Sequence, residues 1–165
     1  MIPTIRPATL ADADYVVKIA HQTWWPTYNK ILSTEQITYM LDNMYVSDTI
    51  AEQMDNQDQH YLMLEEEGVP VAFASYSPRE DDADVYKLQK LYCLPQTQGK
   101  GYGRLLVEAV IDAARKDGKS TLDLNVNRDN NAKNFYEKMG FAIAYDEDIP
   151  IGPYWMNDHV MRLKL

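Results

Sequence analysis

The sequence predicts an α+β (mixed α/β) domain, and three features carry that expectation. Short segments alternate apolar and polar residues, as in Leu122, Leu124 and Val126, which is the period of half-buried strands. Other segments place apolar residues on one helical side, as in Tyr15, Val16, Ile19, Ala20 and Thr23. The third feature is a glycine-rich run, Gln98-Gly99-Lys100-Gly101-Tyr102-Gly103-Arg104, set between a strand pattern (Leu88 to Leu94) and a helical one (Leu105 to Ala114). At 165 residues the chain has the length of one domain with a full core, expected to span residues 1–165.

The elements follow in order. Thr4 to Pro7 reads as a strand. The sequence Thr9-Leu10-Ala11-Asp12 is a capping box that opens the first helix, and Pro26 is expected to break it. A second box, Ser33 to Gln36, opens the next helix, and a short one runs from Ser47 to Met54. Tyr61 to Leu64 and Val71 to Tyr76 form a hairpin around Glu66-Glu67-Gly68. The long strand Val85 to Leu94 leads into the glycine run and its helix. After them come the Leu122 to Val126 strand, a short helix around Tyr136 closed by Gly140, and two strands, Phe141 to Asp146 and His159 to Lys164.

Composition excludes several classes. No run of 18 apolar residues and no basic-then-apolar start is present, so neither a membrane span nor a signal peptide is expected. One cysteine rules out a disulfide framework and makes the cytoplasm the default location. His21, His60 and His159 have no metal-ligand spacing with Cys93, so no metal site is expected. The net charge of −9 argues against nucleic acid and suits a cationic small substrate or simple solubility.

The glycine run is the most specific signal. Without Cβ atoms at a helix start, unpaired amides can meet an anion such as a phosphate or pyrophosphate. A dinucleotide fingerprint would need a third glycine where Arg104 stands, and a Walker loop ending in Gly118-Lys119-Ser120 would need one at Ala113. Gln98, Gly101 and Gly103 instead form Gln-x-x-Gly-x-Gly, which resembles the pyrophosphate loop of the GNAT acyl-CoA-dependent N-acyltransferases. A second stretch is similar to the other signature of that family. Its strand carries Val126-Asn127, its helix start has Asn-x-Ala in Asn130-Asn131-Ala132, and Phe135-Tyr136-Glu137-Lys138 precedes Gly140-Phe141. The resemblance covers about residues 84 to 164.

That resemblance implies a mostly antiparallel central sheet of six to seven strands flanked by helices, with a splayed strand pair at the coenzyme A site. It implies transfer of an acetyl group from acetyl-CoA, as cosubstrate, to a primary amine. Leu91, Tyr92 and Cys93 would meet the pantetheine arm, Gln98 to Arg104 the pyrophosphate, Asn130 (with Asn127) the pantetheine amides, and Lys138 the 3′-phosphate. Lys100 and Arg104 would add mobile counter-charges. Tyr136 matches the tyrosine that hydrogen-bonds the departing sulfur. Many relatives carry a glutamate base where this chain has Gln89, so water relayed to Glu80, Asp81, Asp82 or Asp84 is the expected substitute. Cys93 has no neighbouring base and reads as a small apolar residue rather than a nucleophile.

The resemblance places the acceptor between Trp24–Tyr28 and a loop at Asp146–Trp155. Trp25, Tyr28 and Tyr154 are the expected substrate contacts, since aromatic faces beside carboxylates suit an ammonium; Trp24 reads as core, and the tryptophans also suit a homodimer contact. The closing segment loosely resembles that of bacterial polyamine acetyltransferases. Two other readings stand beside a small-amine acetyltransferase: an idle acyl-CoA-binding sensor, favoured by Gln89, and an enzyme for protein N-termini or lysines.

Overall fold

A computed structural model describes residues 2–165. The element order is β1 (Thr4–Pro7), α1 (Ala13–Tyr28), α2 (Thr34–Met44), α3 (Ser47–Asp55), β2 (His60–Glu66), β3 (Val69–Pro78), β4 (Val85–Cys93), α4 (Tyr102–Lys116), β5 (Thr121–Asn127), α5 (Ala132–Lys138), β6 (Ala142–Ile151) and β7 (Tyr154–Lys164). The seven strands form one sheet in the order β1-β2-β3-β4-β5-β7-β6. Every neighbouring pair is antiparallel except β4 and β5.

The expected capping residues act as such. Ser33 accepts a hydrogen bond from the Gln36 amide at 3.1 Å. Asp12 accepts from the Thr9 amide at 2.8 Å, although this box opens a 3-10 turn, Leu10–Asp12, before α1 begins. Two expectations are corrected. Pro26 does not break α1, which runs through it to Tyr28. Pro26 removes only the bond its own nitrogen would donate to the Gln22 carbonyl, and helical bonding resumes after it, with the Asn29 amide donating to the Trp25 carbonyl at 2.9 Å. The Asp146–Trp155 segment is a β-hairpin rather than a loop, with β6 and β7 paired to the turn at Gly152 and Pro153. Gly152 has φ +56°, and a Cβ there would lie 2.1 Å from the Tyr39 hydroxyl, so only glycine fits the turn.

Both faces of the sheet are used. Trp24 of α1 packs on Tyr92, with ring centroids 6.4 Å apart, while Gly103 of α4 lies over Cys93. Consecutive strand residues point to opposite faces, so α1 and α4 sandwich β4. The apolar side of α4, including Leu106, Val107 and Val110, is fully buried. Among the described residues no helix is long and apolar enough to cross a membrane.

Two features of β4 shape the site. It pairs with β5 only over Val85–Leu88 and Thr121–Leu124, and beyond that point the strands part. The register with β3 also shifts between Ser75 and Tyr76, so Gln89 is an extra, bulged residue. Polar side chains therefore gather on the α1 side of the sheet. Asp123, fully buried there, accepts from Arg162 at 2.8 Å and from Arg79 at 3.1 Å.

Asp123→Ala removes charge-assisted hydrogen bonds to two arginines, of which Arg79 keeps Asp81 and Arg162 reaches solvent. The substitution should destabilise the fold by about 1.5–3 kcal/mol, measured as a fall in urea midpoint with an unchanged slope.

Candidate active site

The parting of β4 from β5 opens a cleft of about 600 Å³. Its walls come from the end of α1, the free edge of β4, the glycine loop with the first turn of α4, and the β5–α5 segment. Leu91, Tyr92, Cys93, Gln98, Gly99, Gly101, Tyr102, Gly103, Arg104, Asn130, Tyr136 and Tyr28 all line it. Lys100, Lys138, Trp25 and Tyr154 do not. Lys138 is exposed, Trp25 is partly exposed at the surface, and the Tyr154 ring leans on Tyr39 at 5.5 Å.

The glycine loop meets the requirements of an anion seat. Gly101 is the N-cap of α4 in the left-handed conformation, φ +80°, and the first helical bond is donated by the Leu105 amide to the Gly101 carbonyl. The amides of Tyr102, Gly103 and Arg104 precede that bond and have no helical partner. A Cβ built at Gly99 or Gly101 would meet nothing within 4 Å, so the space over the loop is open. The cationic side chains nearby are already engaged: Lys100 with Glu66 at 3.0 Å and Arg104 with Glu108 at 2.8 Å. The Tyr102 hydroxyl also donates to Glu66. Backbone donors and the helix dipole therefore carry most of the attraction.

Tyrosines dominate the other end. The rings of Trp24, Tyr28, Tyr45 and Tyr92 form one cluster, with Trp24 and Tyr28 at 4.5 Å and Tyr45 edge-on to Tyr92 at 6.2 Å. Tyr136 is buried and edge-on to both Phe135 and Phe141. Burial raises its hydroxyl above the usual range, with Tyr28 and Cys93 adding to the shift and no hydrogen bond contributing. Asn127 and Asn130 turn their side-chain oxygens onto the backbone amides of Asp129 and Ala132, both at 2.9 Å. Those bonds hold the β5–α5 turn.

Gln89 lies at a junction. Its Nε2 donates to Ser77 Oγ at 3.1 Å, and the residue borders both the cleft and a second, polar cavity of about 770 Å³ on the α1 side. Glu80 and Asp81 also border this second cavity; Asp82 and Asp84 do not. Asp81 is held by Arg79 at 2.9 Å.

Sequence reasoning missed three polar groups. Lys90 is buried, and desolvation pulls its ammonium down to about 7. Its Nζ donates to Gln59 Oε1 at 2.7 Å and to Gln53 Oε1 at 3.2 Å. Asn125 lines the cleft, and its Nδ2 donates to Asp158 Oδ2 at 3.2 Å. Asp158 is buried and its carboxyl is pushed up by desolvation. A lysine inside the apolar Leu88–Leu94 strand was the visible signal for Lys90. Asp158 had none, because its segment read as loop.

A mixed sheet with one parting parallel pair, and a cleft joining a glycine loop at a helix start to a buried tyrosine, define an acyl-CoA acyltransferase site. The sequence model of the Acetyltransferase (GNAT) family matches residues 18–141, and the chain belongs to that family. It is an acetyl-CoA-dependent N-acetyltransferase of the GNAT type. It is 31% identical to the uncharacterized N-acetyltransferase Rv2669 of Mycobacterium tuberculosis, over 94% of this chain and 99% of that one. Over 53% of the chain it is 35% identical to the [ribosomal protein bS18]-alanine N-acetyltransferase of Haemophilus influenzae, covering 59% of that protein. Its fold superposes with a TM-score of 0.84 on PaiA N-acetyltransferase from Thermoplasma acidophilum, solved with coenzyme A, at 25% identity and full coverage of both chains.

Gly101→Asp should abolish acetyl-CoA binding in calorimetry, whereas Gly101→Asn, neutral and tolerant of positive φ, should weaken it only partly. Cys93, whose thiol burial pushes up to about 11, should react with iodoacetamide at pH 7.5 about 100-fold more slowly than a free thiol, followed by mass spectrometry.

Proposed function

We propose that this enzyme acetylates the primary amine of a small cationic molecule of the polyamine type. The observation that supports this best is the cleft itself: an anion seat at one end and the aromatic wall of Tyr28 and Tyr92 at the other. A tyrosine face attracts an ammonium by about 0.5 kcal/mol when exposed and about 2 kcal/mol when desolvated. The net charge of −9 adds long-range attraction for a cation. The acidic residues of the β6–β7 hairpin contribute less than their number suggests. Asp146 pairs with His159 and Arg128, and Asp148 pairs with Arg128.

The residues present fit acetyl-CoA. The amides of Tyr102 to Arg104 would hold the pyrophosphate, and the free edge Leu91–Cys93 would bond the pantetheine arm as a strand does. Donors on that edge would face the thioester oxygen as negative charge develops there. The amine attacks the carbonyl carbon, the C–S bond breaks, and the sulfur leaves with the bonding pair. Tyr136 would stabilise that thiolate by hydrogen bonding. A hydroxyl raised above its usual range is a reluctant acid beside a thiol of about 8.5, so full proton transfer comes late.

Screening small amines with acetyl-CoA while following thiol release tests the acceptor class. Di- and polyamines should turn over, with a KM that rises with salt; activity confined to neutral or anionic amines, or to peptide N-termini, would contradict it. Tyr136→Phe should lower kcat by about 100-fold with acetyl-CoA affinity nearly unchanged. An unchanged single-turnover rate would remove Tyr136 from the chemistry.

A further inference from the structure

Buried polar atoms in folded proteins almost always find hydrogen-bond partners, so the exceptions mark places where a donor is missing. Among the described residues the buried side-chain atoms without a partner include Asn125 Oδ1 and Asp158 Oδ1. These two belong to one unit, because Asn125 Nδ2 donates to Asp158 Oδ2. Asn125 sits on β5 just past the last residue paired to β4, and it lines the cleft. Asp158, on β7, is only 5% exposed and has no ion-pair partner among the described residues. Arg128 bonds its backbone carbonyl instead, and gives its charge to Asp146 and Asp148.

Two orphan acceptors on one hydrogen-bonded pair, one of them on a carboxylate, call for a ligand that carries several donors and a positive charge. The geometry points to Asn125 and Asp158 as the seat of the acceptor's ammonium group, with Asn125 Oδ1 and Asp158 Oδ1 accepting its N–H bonds. This rests on the small-amine reading above and gives it a location. Both oxygens lie under the surface, so the pair must part for an ammonium to reach them, and one 3.2 Å bond holds it closed. Tyr28, whose hydroxyl feels the charge of Asp158, supplies the aromatic side of the same seat.

The seat also resolves the proton problem left by Gln89. A proton passes from the ammonium nitrogen to Asp158 Oδ1, the freed nitrogen pair forms the new N–C bond as the C–S bond breaks, and the second proton that nitrogen loses ends on the departing sulfur, by way of the Tyr136 hydroxyl. A carboxyl raised by desolvation suits that task better than an exposed one. The charged and titratable groups that bear on Asp158 are Lys87 from β4, Glu147 from β6, Arg128 after β5 and Tyr28 from α1. The seat works with Asp158 ionised, so binding of an ammonium should weaken as pH falls through the raised pKa of this group.

The test is calorimetric titration of 1,4-diaminobutane into the CoA-saturated protein, beside an acetyl-transfer assay with the same amine. Asp158→Asn, nearly isosteric, should weaken diamine affinity about tenfold or more, the cost of a hydrogen bond to a charged group, and should remove the acid limb of the binding curve. Coenzyme A affinity should stay the same. Should the variant fail to fold, the wild-type chain gives the answer: it should bind 1,4-diaminobutane with loss of affinity on acidification and ignore 1,4-butanediol. Equal affinities in wild type and variant, no diamine binding, or equal binding of the diol would show that only a water fills the gap, and would overturn the seat. Diamine binding that depends on Asp158 without acetyl transfer would instead contradict the proposed function and leave the seat standing.

Discussion

The limited pairing of β4 with β5 is the constraint on which the site depends. The two strands share hydrogen bonds over four residues of each and then part, leaving Gln89–Cys93 with a free edge and Asn125–Asn127 facing it across the gap. Unpaired strand backbone inside a protein is costly unless something bonds to it. The fold tolerates the opening because α1 and α4 clamp β4 from its two faces, and because the other edge of β4 stays paired to β3 up to Cys93. An extended ligand arm can then add itself to the open edge.

Electrostatics divides the cleft. On the proposed reading an acidic chain has to hold a polyanion, and the glycine loop has few free cations beside it. Lys100 and Arg104 are tied to Glu66 and Glu108, so the glycine loop offers oriented amides, which need no counter-ion and lose no side-chain entropy. At the opposite end the tyrosine rings of Tyr28 and Tyr92 and the side chain of Asn125 replace amides. The bulge at Gln89 belongs to this division. By adding a residue to β4 it turns Lys90 onto the α1 side, where the lysine is buried without a carboxylate and loses its charge near neutral pH.

Much of this was legible in the sequence because it depends on local rules. The capping box at Ser33, the Glu67-Gly68 turn and the glycine loop are each fixed by residues a few positions apart, and all appear where the spacing placed them. The departures have physical reasons. Pro26 reads as a breaker, but it deletes a single bond, to the Gln22 carbonyl, and the packing of Trp24 and Tyr28 in the core holds α1 through it. The Asp146–Trp155 hairpin alternates polar and apolar residues weakly, since one side of β6 is exposed along most of its length. The Asn125–Asp158 pair joins residues 33 positions apart, and its meaning lies in partners it lacks. No pattern in the sequence carries that information.

Amide hydrogen exchange with and without acetyl-CoA tests the central claim most directly, because it reads the backbone groups on which the account relies. Binding at the parted strands should protect two segments together, Leu91–Cys93 on the free edge of β4 and Gly99–Arg104 in the loop and first turn of α4, while β1 and β2 stay unchanged. Protection of only one of these segments, or of the second cavity around Gln53 and Gln59 in their place, would contradict it.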